Sequence, residues 1–256
     1  MDKTQFDRTK IIKKLTTGRE SNIYLYGTSN TVLKYFKTEI EDRNKNTGKI
    51  KIIHVEDKVF NNKEEKIKIL SEEKTLKDNI KIKDLVYDED GKFVGYTTTY
   101  KDVTSFDALS YKSQKEKIEL LKKLRNKMEI LNKNNIYIGD FVNPNNFAIS
   151  NDKIILFDID NFRVNDLDFD YKNIFVEDYL KHNNQIDNID TYCFNYFTIS
   201  FYSNRLMSYI DGYLRINGLP RKFNTPESRE LLKDLLNNKC PEKKYLLDYQ
   251  RKGLFK

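Results

Sequence analysis

The order of the apolar patterns constrains the fold of this chain more than any other feature. Two stretches, 22–37 and 82–100, each contain a pair of runs rich in β-branched and aromatic residues around a turn-forming sequence, "GTSN" in the first and "DEDG" in the second. Such pairs are typical of β-hairpins. Between them, apolar residues follow a helical spacing over 60–77. The first hundred residues therefore predict a small antiparallel sheet with one helix.

Helical patterns dominate the remainder of the chain. Apolar residues recur at spacings of three and four over 113–133, and the stretch 190–206 is apolar on nearly all sides, which is typical of a buried helix. A further helix is predicted over 225–237, with Thr225 as its N-cap and Pro226 in its first turn.

Together the two halves predict an α+β fold with two lobes that form one domain. The small sheet-rich lobe is expected over residues 1–100 and the larger helical lobe over 101–256. Two polar segments, 38–58 and 163–189, show no clear periodicity and are predicted to be irregular.

Charge and composition exclude few partners. The net charge of +7 and the pI of about 9.0 suit an anionic ligand. The lysines are scattered along the chain and form no basic stripe with interleaved aromatic residues, which disfavours nucleic-acid binding. No secretory signal and no apolar run of membrane-spanning length is present, so we expect no membrane insertion and a cytoplasmic location.

Cysteine and histidine provide little material for metal or nucleophilic chemistry. Cys193 and Cys240 lack metal-ligand spacing and are expected to be reduced thiols. His54 and His182 are the two histidines, too few for a His-based zinc site. Any chemistry must therefore rest on carboxylates, lysines and a bound ion or cofactor.

One stretch concentrates polar residues between apolar runs, "GDFVNPNNFAI" at 139–149. The runs "FAI" and "KIILF" are expected to fold back on each other through the "SND" turn. This hairpin would bring Asp140, Asn146 and Asp158 close together. Oxygen donors without His or Cys suit a hard cation such as Mg²⁺.

Two residues in the first lobe have both an ordinary and a functional interpretation. Lys34 lies in the strand "TVLKYFK", where a lysine is usually a surface residue whose stem covers apolar neighbours. Gly18 precedes the first of the hairpin strands; it is either a simple turn glycine or part of a loop whose N–H groups cradle phosphates.

In this order the motifs resemble the protein-kinase-like superfamily over about residues 10–206. "GRESNIYLY" resembles the phosphate-covering loop and "VLKYFK" the strand with the nucleotide-binding lysine. "GDFVNPNNFAI" resembles the catalytic loop, and "LFDIDNF" the metal-binding segment. "DTYCFNYF" resembles the start of the buried helix, whose Asp190 would hold the backbone of the catalytic loop.

The resemblance implies ATP and Mg²⁺ as cofactors and assigns the polar residues their roles. Lys34 would contact the α- and β-phosphates beneath the loop of Gly18. Asp158 and Asn146 would hold the metal ion. Asp140 would orient the acceptor hydroxyl and accept its proton.

A glutamate of the 60–77 helix would hold Lys34 in place. The candidates are Glu64, Glu65, Glu72 and Glu73. Glu65 is favoured because it precedes the apolar residues Ile67, Ile69 and Leu70.

The catalytic loop departs from the family pattern at two points. Asn146 rather than Asn145 keeps the Pro-x-Asn spacing from Pro144, so one extra residue lies between Asp140 and Pro144. Ile138-Gly139 replaces the usual His-Arg, which removes the arginine that would pair with a phosphorylated activation segment. Activity is therefore predicted not to depend on phosphorylation of that segment.

The metal-binding segment departs as well, because Asp160 replaces its usual glycine. Asp160 would be either a second metal contact or a solvent-facing residue.

Three functions remain open. The first is a protein kinase acting on serine or threonine hydroxyls, with the acceptor peptide presented by 163–189. The second is a small-molecule kinase, since such enzymes share the Gly-Asp form of the catalytic loop. The third is a pseudokinase that binds nucleotide without catalysis. The single loop glycine and Asp160 favour it, and the intact Asp140 opposes it.

Overall fold

The computed structural model places the β-rich runs and the helical runs in two separate units of the chain, Met1–Asp102 and Val103–Lys256. The structure describes residues 1–43, 49–76, 79–183, 186–240 and 243–251. Within these ranges, no helix combines the length and the apolar character needed to cross a membrane.

A six-stranded sheet forms most of the N-terminal unit, in the order β1-β7-β8-β4-β3-β2. Neighbouring strands are antiparallel, except that β1 pairs with β7 in parallel. The strands of the sheet are β1 (Asp2–Gln5), β2 (Ile11–Thr17), β3 (Ser21–Tyr26), β4 (Thr31–Phe36), β7 (Ile82–Tyr87) and β8 (Phe93–Thr99).

Both predicted hairpins, β3–β4 and β7–β8, are confirmed. Strand β4 lies between β3 and β8, and its Lys34 faces Ile23 on one side and Tyr96 on the other. Gly95 allows this close approach, because a Cβ there would lie 2.1 Å from the Lys34 carbonyl oxygen. The strand that carries Lys34 is therefore fixed on both edges.

Helix α1 (Asp57–Glu72) begins and ends a few residues before the predicted helix over 60–77. A short 3₁₀ helix, Lys74–Leu76, follows it, and residue 77 lies outside the described residues. Phe60, Ile67 and Leu70 are buried, which gives the helix its core-facing side.

The prediction that 38–58 is irregular is wrong. Strands β5 (Glu39–Arg43) and β6 (Ile50–His54) form an antiparallel hairpin there. All side chains of β6 are exposed, including those of Ile50 and Ile52. Because β6 has no buried face, it does not need the alternation of apolar and polar residues that sequence patterns detect. The link between them includes residues 44–48, which lie outside the described residues.

The C-terminal unit consists mainly of helices, with short strands at the loops. The strands are β9 (Thr104–Ser105), β10 (Ile136–Tyr137), β11 (Phe147–Ser150), β12 (Lys153–Leu156) and β13 (Arg163–Val164). The helices are α2 (Gln114–Asn132), α3 (Ile174–His182), α4 (Ile189–Ser203), α5 (Ile210–Asn217) and α6 (Pro226–Leu236).

Helix α4 is the buried helix that the sequence predicts, since every side chain from Ile189 to Tyr202 is buried. The predicted caps are also present: Thr225 accepts a hydrogen bond from the N–H of Ser228 at the start of α6. The prediction that 163–189 is irregular is wrong, because α3 lies within it.

Phenylalanine side chains pack around the loop 139–149. Phe141 packs against Phe147 and Phe197, with ring centroids 5.2 and 5.9 Å away. Phe106 and Phe201 extend this cluster, 5.0 Å from each other. Because Phe141 follows Asp140 directly and is fully buried, the aromatic core fixes the backbone at Asp140.

Candidate active site

Asp190, at the start of α4, holds the backbone of the catalytic loop. Its two carboxylate oxygens accept hydrogen bonds from the N–H groups of Ile138 and Gly139, both at 2.8 Å. The side-chain amide of Asn132 is assigned the orientation in which its nitrogen faces acceptors. In that orientation the nitrogen donates to the same carboxylate at 2.8 Å. The predicted role of Asp190 is confirmed. Burial raises the pKa of Asp190, and its bonds from the loop backbone oppose the rise.

Gly139 is required by the conformation of the loop. Its φ is +66°, and a Cβ would lie 2.5 Å from Cε1 of Phe169. Phe169 belongs to the segment between β13 and α3. Because its ring lies against Gly139, this segment packs directly on the catalytic loop. The glycine that replaces the usual arginine thus makes room for an apolar contact with this segment.

Replacing Gly139 by alanine is expected to lower the free energy of unfolding by about 1–3 kcal/mol, because a side chain is strained at positive φ and collides with Phe169. Urea denaturation measures the change. Gly212→Ala is the matched control, because a Cβ there meets no atom within 4 Å and the residue lies inside α5. An equal loss of stability in both variants would contradict the interpretation.

Hydrogen bonds from three residues hold the carboxylate of Asp140. Asn146 Nδ2 donates to Oδ2 at 2.9 Å, and the N–H of Val142 donates to Oδ1 at 3.2 Å. Asn173 Nδ2 donates to the same Oδ1 at 3.3 Å. Burial raises the pKa of Asp140, the nearby charge of Asp158 adds to the rise, and the three donors oppose it.

The two adjacent asparagines differ in position. Asn146 is buried and bonds both the carboxylate and the backbone carbonyl of Asp140. Asn145 is exposed, and its N–H donates to the side chain of Asn143, which caps the 3₁₀ turn Pro144–Asn146. The side chain selected by the spacing from Pro144 is therefore the one that points into the site.

Asp158 and Asp160 follow strand β12. Asp158 has a left-handed backbone, with φ 51° and ψ 35°, a conformation that aspartate adopts more readily than most residues other than glycine. Asp160 is only 1% exposed, so the solvent-facing interpretation of this residue is wrong.

The donor chemistry of this site fits Mg²⁺ bound together with phosphates. In the part of the chain that the structure describes, no three His, Cys, Asp or Glu side chains form a group able to hold a metal ion. Mg²⁺, however, commonly uses one or two protein oxygen donors and completes its octahedron with substrate phosphates and water. The amide oxygen of Asn146 and the carboxylate of Asp158 are donors of that kind.

In the N-terminal unit, Lys34 is buried, with its ammonium 5.8 Å from the ring centroid of Phe36. Gly18 is exposed; its N–H donates to the carbonyl of Ser21 at 2.8 Å, and its own carbonyl accepts from Lys37 Nζ at 2.7 Å. These contacts shape the loop ahead of β3 as a closed turn.

Glu65 lies on the exposed side of α1. At about 100° per residue, it is about 200° around the helix from Lys63, which is buried. Its pairing with Lys34 stays a prediction, and its exposure argues against it. Proximity to apolar residues in sequence suggested Glu65, whereas the helical period decides which side chain faces inward.

Two lysines of α1, Lys63 and Lys66, are buried, and the sequence reasoning missed both. Lys63 forms an ion pair with the loop ahead of β3. Its ammonium lies 3.7 Å from Glu20 Oε2 and 5.0 Å from the ring centroid of Phe36. An ion pair thus joins α1 to the loop ahead of β3, with the cation on the helix. The signal was available, because Lys63 is in helical phase with Phe60 and Ile67.

Comparison with known proteins defines the fold. No protein-family model matches the chain, and no curated protein sequence matches it. Among solved structures it is similar to the kinase domain of PknI from Mycobacterium tuberculosis, crystallised as a double mutant, with a TM-score of 0.60 and 10% sequence identity. The match covers 93% of this chain and 91% of the other. The chain therefore has a protein-kinase-like α+β fold, and the predicted fold class is confirmed.

Proposed function

We propose that the chain is an ATP-dependent phosphotransferase that transfers the γ-phosphate to a hydroxyl group, with serine or threonine side chains of proteins as first-choice acceptors. The main support is the state of Asp140: its carboxylate is aligned by Asn146 within a loop that Asp190 anchors. Phosphoryl transfer needs mainly positioning and charge compensation, so one aligned carboxylate in a kinase-like fold is a sufficient base.

In this mechanism Asp140 accepts a hydrogen bond from the acceptor hydroxyl, orients its oxygen and takes its proton as the bond to phosphorus forms. The raised pKa of Asp140 makes its carboxylate a stronger base and therefore a better proton acceptor. Its remaining exposed surface leaves room for that hydroxyl.

The contacts to the phosphates are assigned from the resemblance, residue by residue. Asn146 and Asp158 would hold Mg²⁺, which when bound neutralises charge on the phosphates. Lys34 would contact the α- and β-phosphates, with Gly18 in the covering loop. The ammonium of Lys34, which lies 5.8 Å from the ring centroid of Phe36, is suited to an anionic ligand.

The cysteines fit a reducing compartment, and we place the activity in the cytoplasm. Cys193 and Cys240 are both free thiols. Burial raises the pKa of the Cys193 thiol, so it is an unreactive core residue.

A pseudokinase is the second candidate, and the N-terminal unit provides the observation that favours it. Glu65 is exposed on α1, whereas Lys63 and Lys66 of the same helix are buried. A small-molecule kinase is the third candidate, supported by Gly139 before Asp140.

Incubation with γ-labelled ATP and Mg²⁺ tests the proposal. The acceptors are the chain itself, generic proteins and small hydroxyl compounds. We expect label on a serine or threonine of a protein acceptor. Label on small hydroxyl compounds alone would select the third candidate. Thermal stabilisation by ATP without transfer to any acceptor would overturn the proposed activity and select the pseudokinase.

Phosphatase treatment is expected to leave the transfer rate unchanged to within about twofold, because Gly139 provides no cation for a phosphorylated segment. The rate is compared with that of a sample treated with heat-inactivated phosphatase. A loss of activity that returns after incubation with ATP would contradict the prediction.

A further inference from the structure

Asn173 is a buried asparagine at the N-cap of α3. Its Oδ1 accepts hydrogen bonds from the N–H groups of Phe175 and Val176, at 3.0 and 3.1 Å. These bonds satisfy two of the backbone donors that the first turn of a helix leaves open. Any residue with a short acceptor side chain, such as aspartate or serine, serves this purpose.

The other end of the same amide reaches the catalytic loop. Asn173 Nδ2 donates to the carbonyl of Gly139 at 3.1 Å and to Oδ1 of Asp140 at 3.3 Å. An asparagine amide has two donor and two acceptor positions, and here all four are used. Aspartate and serine can both provide the capping oxygen, but neither has the side-chain amide N–H groups of asparagine.

We propose that Asn173 is a positioning residue that fixes the carboxylate of Asp140 from the end of α3. This inference rests on the proposed role of Asp140 as the base. The terminal torsion of an aspartate side chain is broad, so a carboxylate needs donors on both oxygens to keep one orientation. Asn146 binds Oδ2, whereas Asn173 binds Oδ1 together with the N–H of Val142, and Asn173 is the donor that comes from outside the loop.

The segment between β13 and α3 therefore contacts the catalytic loop twice. Phe169 packs on Gly139, and Asn173 bonds both Gly139 and Asp140. Correct folding of this segment is coupled to the geometry of the base through neutral contacts. The coupling explains how the segment supports Asp140 without a phosphorylated residue.

Two substitutions separate the positioning role from capping. Asn173→Ser keeps a capping oxygen but is too short to reach Asp140. Asn173→Asp keeps the cap and places a second carboxylate beside Asp140. We expect kcat to fall about 10-fold or more in the serine variant and further in the aspartate variant, since small misplacements of reacting groups cost up to about 10²-fold. KM for ATP is expected to stay within about twofold.

Thr225→Ser and Thr225→Asp are the matched controls. The side chain of Thr225 caps α6 by accepting a hydrogen bond from the N–H of Ser228. These variants therefore measure how a changed N-cap elsewhere in the same unit affects activity. They are expected to keep the kcat of the unaltered chain. The melting temperature of each variant shows whether it is folded during the assay.

Crystal structures of Asn173→Ser and Asn173→Asp give a readout that does not depend on turnover. Rotation of the Asp140 carboxylate away from its place between Val142 and Asn146 in these variants would support the inference. An unmoved carboxylate in both, or folded variants with unchanged kcat, would overturn it. If the unaltered chain transfers no phosphate, the proposed function fails, and the position of Asp140 in the crystal structures still decides this inference.

Discussion

Replacing Asp140 by asparagine is expected to lower the rate of phosphate transfer by about 10²–10⁴-fold, the usual contribution of a general base. Asparagine has nearly the same shape and retains an oxygen that can accept the hydrogen bond from Asn146. It lacks the basic carboxylate that takes the proton. Because the phosphate contacts are assigned to other residues, the affinity for ATP with Mg²⁺ is expected to change little. Transfer of γ-labelled phosphate measures the rate, and calorimetry measures binding.

Asp152→Asn is the matched control for this variant. Asp152 lies in the exposed turn between β11 and β12, its side chain is 86% exposed, and it pairs with Lys123. The same chemical change there is expected to leave the transfer rate unaltered. An Asp140→Asn variant that transfers phosphate as fast as this control would rule out Asp140 as the base.

The parts of the fold that the sequence predicts correctly are those coded by contiguous patterns. Hairpins β3–β4 and β7–β8 carry turn residues between apolar runs, and α4 is apolar on nearly all sides. The choice of Asn146 over Asn145 also follows from local spacing, and it selects the asparagine that bonds Asp140. Local chemistry is sufficient for these features.

Other features depend on contacts between distant residues. Asn173 meets Asp140 across 33 residues, and no periodic pattern marks that pair. Helix α3 is only nine residues long, and its cap signal, Asn173 followed by a short apolar run, is weak. Lys63 resembles a surface lysine until the phase of α1 is known.

The ion pair of the N-terminal unit illustrates why charge roles are hard to assign from sequence. The resemblance implies a glutamate on α1 and a lysine on β4. The structure pairs a helix cation, Lys63, with Glu20 of the loop. Either arrangement ties the helix to the strands, because opposite charges attract whichever element carries the cation. Sequence motifs can therefore predict that an ion pair holds the helix, but they predict less well which two residues form it.

Replacing Asp190 by alanine is expected to have the largest effect on stability, lowering the free energy of unfolding by about 2–6 kcal/mol. Two buried N–H groups, of Ile138 and Gly139, would lose their acceptor, at about 1–3 kcal/mol each. Asp190→Asn keeps one acceptor oxygen and is expected to lose less. Because the same bonds hold the loop that carries Asp140, both variants should also lose phosphate transfer.

Urea denaturation of both variants measures the change in the free energy of unfolding. Glu119→Ala is the control, since Glu119 forms an exposed ion pair with Lys122, and its removal is expected to change that free energy by no more than about 0.5 kcal/mol. A loss below about 1 kcal/mol in Asp190→Ala would mean that the loop keeps its hydrogen bonds by other means. The catalytic loop would then not depend on α4, and the anchoring that supports the proposed function would have to lie in the aromatic contacts of Phe141.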